Sequence, residues 1–125
     1  MDFEVLNKYL LNKSGTKMEL PFGPDTLVYK VVGKMYAILA WQDDPLRISL
    51  KCDPEQAIQL RRKYPAVLPG YHLSKTHWNT IVVNGSIPDE EIIQMVDESY
   101  RLVVAIMPKF LFSALKNLIA KEKKQ

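Results

Sequence analysis

The sequence predicts an α+β fold: a two-layer sandwich in which one antiparallel sheet carries its helices packed on one face. Three observations lead there. The hydrophobic repeat is helical at the start, alternates through the first half, and returns to helical spacing twice afterwards. The connections are short, so successive strands pair as hairpins. The order α–ββββ–α–ββ–α–α gathers the strands into one sheet and leaves the helices to cover it.

The first helix, Asp2 to Lys13, spaces Phe3, Leu6, Leu10 and Leu11 along one face, and Ser14-Gly15 ends it. Lys17 to Leu20 is a short alternating strand, and Pro21 to Asp25 is a turn cluster. Thr26 to Val32 and Met35 to Trp41 are rich in β-branched and aromatic residues, and Gly33-Lys34 is expected as the two-residue loop between them. Asp43-Asp44-Pro45 turns the chain into a further strand, Arg47 to Lys51. Asp53-Pro54-Glu55-Gln56 is a helix start, with Asp53 as cap and Pro54 in the first turn. That helix stops at Tyr64, before Pro65. Ala66 to Gly70 reads as loop, Tyr71 to Leu73 and His77 to Val83 as strands. Ser86-Ile87-Pro88-Asp89 opens the longest helix, with Ile92, Val96, Tyr100, Val103 and Met107 as its core stripe. Pro108 interrupts it, Phe110 to Ala120 forms a last helix, and Lys121 to Gln125 a polar tail.

Composition narrows the function classes. The chain has 125 residues, 47% of them hydrophobic and 25% charged, which is an ordinary globular balance for one domain and not a disordered chain. No apolar run approaches the ~20 residues needed to cross a bilayer, and the acidic Met1-Asp2-Phe3-Glu4 start is unlike a signal peptide. A single cysteine excludes an internal disulfide framework, so a cytoplasmic protein is expected. The sequence leaves the oligomeric state open, with a monomer as the expectation. The net charge is only +3. The basic surplus lies in residues 51–83 and beyond 108, and the acidic surplus in 84–107. An anionic partner is therefore expected to meet the middle of the chain or its end.

No catalytic constellation is visible: the chain carries no Walker loop, no dinucleotide fingerprint and no nucleophile elbow. Asp43-Asp44 reads as a turn former, and Cys52 as a small buried residue. Arg61-Arg62-Lys63 complements the dipole of the helix it ends. The basic segment from Phe110 is read as a helix docking on its own domain rather than on a membrane. The densest polar cluster runs from Tyr71 to Thr80 and holds both histidines, His72 and His77. Two histidines five apart, with no cysteine or carboxylate beside them, do not make a metal site, and no metal or cofactor is expected. Phosphate recognition suits the cluster better, with Lys75 for charge and Ser74 and Asn79 as hydrogen-bond donors. The plainer reading, that Trp78 is core and its polar neighbours form its rim, stands beside it.

Taken together, these residues resemble the MmcQ/YjbR family, whose fold is like that of frataxin (CyaY). The resemblance rests on Pro21-Phe22-Gly23, on Val28-Tyr29-Lys30-Val31 through Gly33-Lys34-Met35-Tyr36-Ala37, and on Lys51-Cys52-Asp53-Pro54. It continues through Tyr71-His72-Leu73, Lys75-x-His77-Trp78-Asn79, Pro88-Asp89-Glu90-Glu91 and Asp97-x-Ser99-Tyr100-x-Leu102-Val103. It implies a bacterial protein of one α+β domain over residues 1–125, with 108–125 as a C-terminal helical extension ending in a basic tail. It implies double-stranded DNA as partner, bound through a double-wing arrangement of two β-loops. At the matching positions stand Lys30, Lys34, Lys75, His77, Trp78 and Asn79. The frataxin likeness is one of fold, because the first helix lacks the acidic row that iron handling would need. The alternative is a module, not an enzyme, that binds a small molecule or a protein in a pocket formed by Tyr71, His72 and Trp78.

Overall fold

The computed structural model describes residues 1–123, so Lys124 and Gln125 of the expected tail lie outside the described residues. Helix α1 (Phe3–Leu11) opens on Asp2, whose carboxylate accepts the Val5 N–H. A meander of four strands follows: β1 (Thr16–Glu19), β2 (Leu27–Val31), β3 (Lys34–Ala40) and β4 (Leu46–Lys51). Helix α2 (Pro54–Lys63) starts at the expected cap, Asp53, which accepts from the N–H groups of Glu55 and Gln56. Then come β5 (Val67–Pro69), β6 (Trp78–Val83), α3 (Asp89–Ala105) and α4 (Lys109–Lys123). The six strands form one sheet in the order β1-β2-β3-β4-β6-β5, with every pairing antiparallel. The expected α+β sandwich is present.

Three local expectations need correction. Val31 pairs with Lys34, so the β2–β3 loop is Val32-Gly33, and Lys34 is already in the strand. Both loop residues are left-handed, at φ 48° and 80°, as a type I′ hairpin requires. Glycine therefore fills the second place and a valine takes the first. The strand expected at Tyr71–Leu73 is absent. The edge strand is Val67–Pro69 instead, inside the expected loop. Proline at 69 suits an edge, and His72 at φ 57° breaks the extended backbone. Finally, Lys121 and Lys123 continue α4 rather than forming a separate tail.

Alternation divides each strand between two faces. Leu27, Tyr29, Val31, Leu39, Ile48, Leu50 and Ile81 meet Leu6 and Leu10 of α1 and Ile92, Val96 and Val103 of α3 in one core. Of the expected stripe, Tyr100 is only partly buried, and Met107, also partly buried, lies beyond the end of α3 at Ala105. Ser99 lies within that stripe and is fully buried. Its hydroxyl donates to the Tyr36 carbonyl at 2.6 Å and accepts the Lys51 N–H at 2.9 Å, tying α3 to β3 and β4. Helix α4 docks on the α1–β1 connection. Leu115 is buried in the core, and the Glu122 carboxylate accepts the Gly15 N–H at 3.2 Å.

Candidate functional site

Register places the two candidate loops at one end of the sheet. Val31 opposes Lys34 at the β2–β3 turn, Lys51 opposes Trp78, and Pro69 opposes Asn79. The Val32-Gly33 turn and the β5–β6 loop (residues 70–77) therefore project in the same direction. They stand three strand spacings apart, about 14 Å.

The β5–β6 loop is built from hydrogen bonds. The Gly70 N–H donates to the Trp78 carbonyl at 2.9 Å, and the Trp78 N–H donates to the Ser74 carbonyl at 2.9 Å. Thr80 Oγ1 accepts the Tyr71 N–H at 3.0 Å. The Lys75 ammonium donates to the Gly70 carbonyl at 3.0 Å. From below, the Arg61 guanidinium donates to Asn79 Oδ1 at 2.7 Å and to the Lys75 carbonyl. Asn79 Nδ2 donates to the Ala57 carbonyl at 3.3 Å. Arg61 thus does more than complement the α2 dipole: it braces the loop. Gly70 is obligatory here, because a Cβ would lie 2.8 Å from Trp78 Cβ and 3.0 Å from the Trp78 carbonyl oxygen.

The sequence-derived residues are thereby distributed. Lys34, Lys75 and His77 are exposed at the loop end of the sheet. Lys30 is half-buried and ion-paired with Glu19 at 2.7 Å. Asn79 is buried and spends its amide on α2 and Arg61. Tyr71 and His72 are exposed, their rings 4.0 Å apart. Trp78 is buried but stands outside the main core, on the side of β6 opposite Asn79.

A cavity of about 460 Å³ lies between α2 and α3, with Gln56, Leu60, Asn79, Ile81 and Met95 among its walls; of the candidate residues it takes Asn79, while Tyr71, His72 and Trp78 are not among its walls. Cys52 borders it. Burial, followed by the Asp53 and Glu98 carboxylates, pushes its thiol up to about 11. Among the described residues no group of three or more His, Cys, Asp or Glu is placed to hold a metal ion, and no helix is long and apolar enough to cross a membrane. Sequence reasoning missed two structural contributors, Arg61 as a brace and Ser99 as a clamp. Only Ser99 left a signal, a small polar residue inside an apolar stripe.

The comparisons with known proteins converge. The YjbR family model matches residues 11–102, which include both loops and stop before α4. Uncharacterized protein YjbR of Escherichia coli (strain K12) is 32% identical over 109 residues, covering 87% of this chain and 92% of the relative. Uncharacterized protein YyaQ of Bacillus subtilis (strain 168) is 40% identical over 55 residues, covering 44% and 46%. The crystal structure of a Deinococcus radiodurans protein of domain DUF419 superposes with a TM-score of 0.86 at 36% identity, over 92% of this chain and 88% of that one. A Pseudomonas syringae crystal structure gives 0.71 at 31% identity, over 82% and 99%. Fold, loop-bearing core and sequence agree, and the chain belongs to the YjbR family.

Proposed function

We propose that the chain is a binding protein for duplex DNA, gripping its phosphate backbone with the β2–β3 turn and the β5–β6 loop. One observation carries the reading: two loops project from the same end of one sheet about 14 Å apart, with Lys34 exposed at the first and Lys75 and His77 at the second. That spacing is comparable with the roughly 12 Å width of the B-DNA major groove. Lys34 and Lys75 act as point charges toward phosphates. Lys30 joins them when it exchanges Glu19 for a phosphate. Asn79 contributes from beneath, by holding Arg61 under the second loop. Such contacts fix position and carry no base sequence, so the binding is sequence-tolerant.

A salt titration with generic duplex DNA tests this. Each phosphate neutralised adds roughly 0.9 to the slope of log K against log salt, so two or three lysines give a slope of about 2 to 3 in magnitude. Lys34→Ala and Lys75→Ala should each lower the slope by about 1 and weaken all sequences alike. The lysines of α4 offer a competing source of charge. The control is therefore K116Q/K121Q/K123Q, which leaves Leu115 in place. If that control abolishes binding while K34A/K75A does not, the loops are not the DNA site.

A further inference from the structure

The two edges of the sheet differ. The β5 edge is three residues long and ends in Pro69, which suits an edge that stays unpaired. The β1 edge has neither a proline nor a bulge at its outer side. The Val32 N–H donates to the Gly15 carbonyl, which makes Gly15 and Val32 a hydrogen-bonded pair. By alternation Lys17 and Glu19 also turn their backbone groups toward β2, while Thr16, Met18 and Leu20 turn theirs outward. Two of the outward groups are already used: the Thr16 N–H donates to the Lys13 carbonyl, and the Leu20 carbonyl accepts from Gly23. What remains is the Thr16 carbonyl, both backbone groups of Met18, and the Leu20 N–H.

We infer that β1 pairs with β1 of a second copy of this chain, antiparallel and centred on Met18. The remaining groups fit that arrangement without surplus. The two Met18 residues exchange two hydrogen bonds, and each Leu20 N–H reaches the Thr16 carbonyl opposite. The side chains are self-complementary in the same register. Lys17 falls directly opposite Glu19 of the partner copy, twice by symmetry, in the closer non-hydrogen-bonded position. Lys17 needs such a partner. Across β1–β2 it faces Lys30, a like charge, and Lys30 holds Glu19. Among the described residues Lys17 belongs to none of the ion pairs. On the other face of the strand Met18 meets Met18, with Leu20 beside it; the two are 40% and 49% exposed. Strands this short bury less than the ~1,200 Å² of a standard interface, so the dimer is weak and concentration-dependent.

Sedimentation velocity on the full chain, from micromolar to millimolar concentration, tests the inference. The average mass should rise toward that of a dimer, and added salt should shift the rise to higher concentration. Lys17→Glu sets carboxylate against carboxylate at both positions and should weaken association at least tenfold. The charge swap K17E/E19K restores both cross-copy pairs and should restore association. Within each copy the swap sets the introduced carboxylate directly opposite Lys30, so the fold keeps its own pair. Thermal melts of both variants should match the parent. A parent that stays monomeric at millimolar concentration overturns the inference. So does K17E associating like the parent, or a folded swap variant that stays apart.

Discussion

The β2–β3 turn makes its reversal with two residues of backbone, Val32 and Gly33, whereas the β5–β6 loop spans residues 70–77 and is tied down by Arg61, Lys75 and Thr80. The short turn places a β-branched residue at φ 48°, a conformation that costs of order 1–3 kcal/mol. Val32 offsets that cost by packing against the core cluster. The long loop keeps its backbone mostly relaxed and draws its order from hydrogen bonds, some closed within the loop and others reaching in from Arg61 and Thr80. One loop is therefore rigid by its backbone geometry, and the other by a network in which Arg61 is the contribution from outside.

The largest effect should come from the floor of the long loop. Trp78→Ala removes a buried ring at the residue whose backbone closes the loop on Gly70 and Ser74, and truncations of this kind cost ~3–5 kcal/mol. Urea unfolding would measure it. A loss below about 1 kcal/mol, the level of an ordinary substitution, would mean that the ring does not support the loop. Removing the brace comes next. Arg61→Ala leaves Asn79 Oδ1 without its donor, at a cost of about 1–3 kcal/mol. The Cys52 N–H donates to the His77 carbonyl, so the thiol reports on the same loop. Burial holds its thiol pKa up at about 11 and the Arg61 guanidinium pulls it down, so losing that charge alone would slow alkylation of Cys52 at pH 8. A faster rate in Arg61→Ala is therefore expected from opening of the loop, and a rate clearly below the parent's would show that the loop stands without its brace.

The short turn should respond in the opposite direction. Val32→Asn puts a residue that tolerates the left-handed region into the first loop position, and stability should rise by about 1 kcal/mol, less the packing lost with valine. A lower melting temperature for this variant would mean that the packing outweighs the strain. The smallest effects belong to the exposed lysines. Lys34→Ala should change stability by less than about 0.5 kcal/mol, and Lys75→Ala, which loses the hydrogen bond to the Gly70 carbonyl, by about 0.5–1.5 kcal/mol, so DNA affinity is compared after a melt has shown each variant folded.

What was legible in the sequence follows from how local each feature is. The cap at Asp53, the meander and the stripe Ile92–Val96–Val103 depend on neighbours a few residues apart, and they stand as expected. The β2–β3 loop was displaced by one residue, because glycine normally marks the strained place and here valine shares it. The β5 strand was missed because three residues ending in proline carry no period. The candidate site was less legible still. Asn79 looked like a donor to phosphate, but its amide is consumed by Arg61 and Ala57, distant in sequence and adjacent only in space. Lys30 looked like an available cation, but the β1–β2 register brings Glu19 to it. Lys34 and His77 read correctly as surface, because among the described residues no distant group claims their side chains.

Gly70 has a consequence for how the family can vary. The loop beyond it, from Tyr71 to His77, shows mostly exposed side chains, with Leu73 partly buried and the Lys75 ammonium held on the Gly70 carbonyl. At Gly70 itself even a methyl group collides with the backbone of Trp78. Across related chains the first residue of the loop should therefore stay glycine wherever the loop folds back over β6 in this way, even where exposed positions such as Ser74 and Thr76 change.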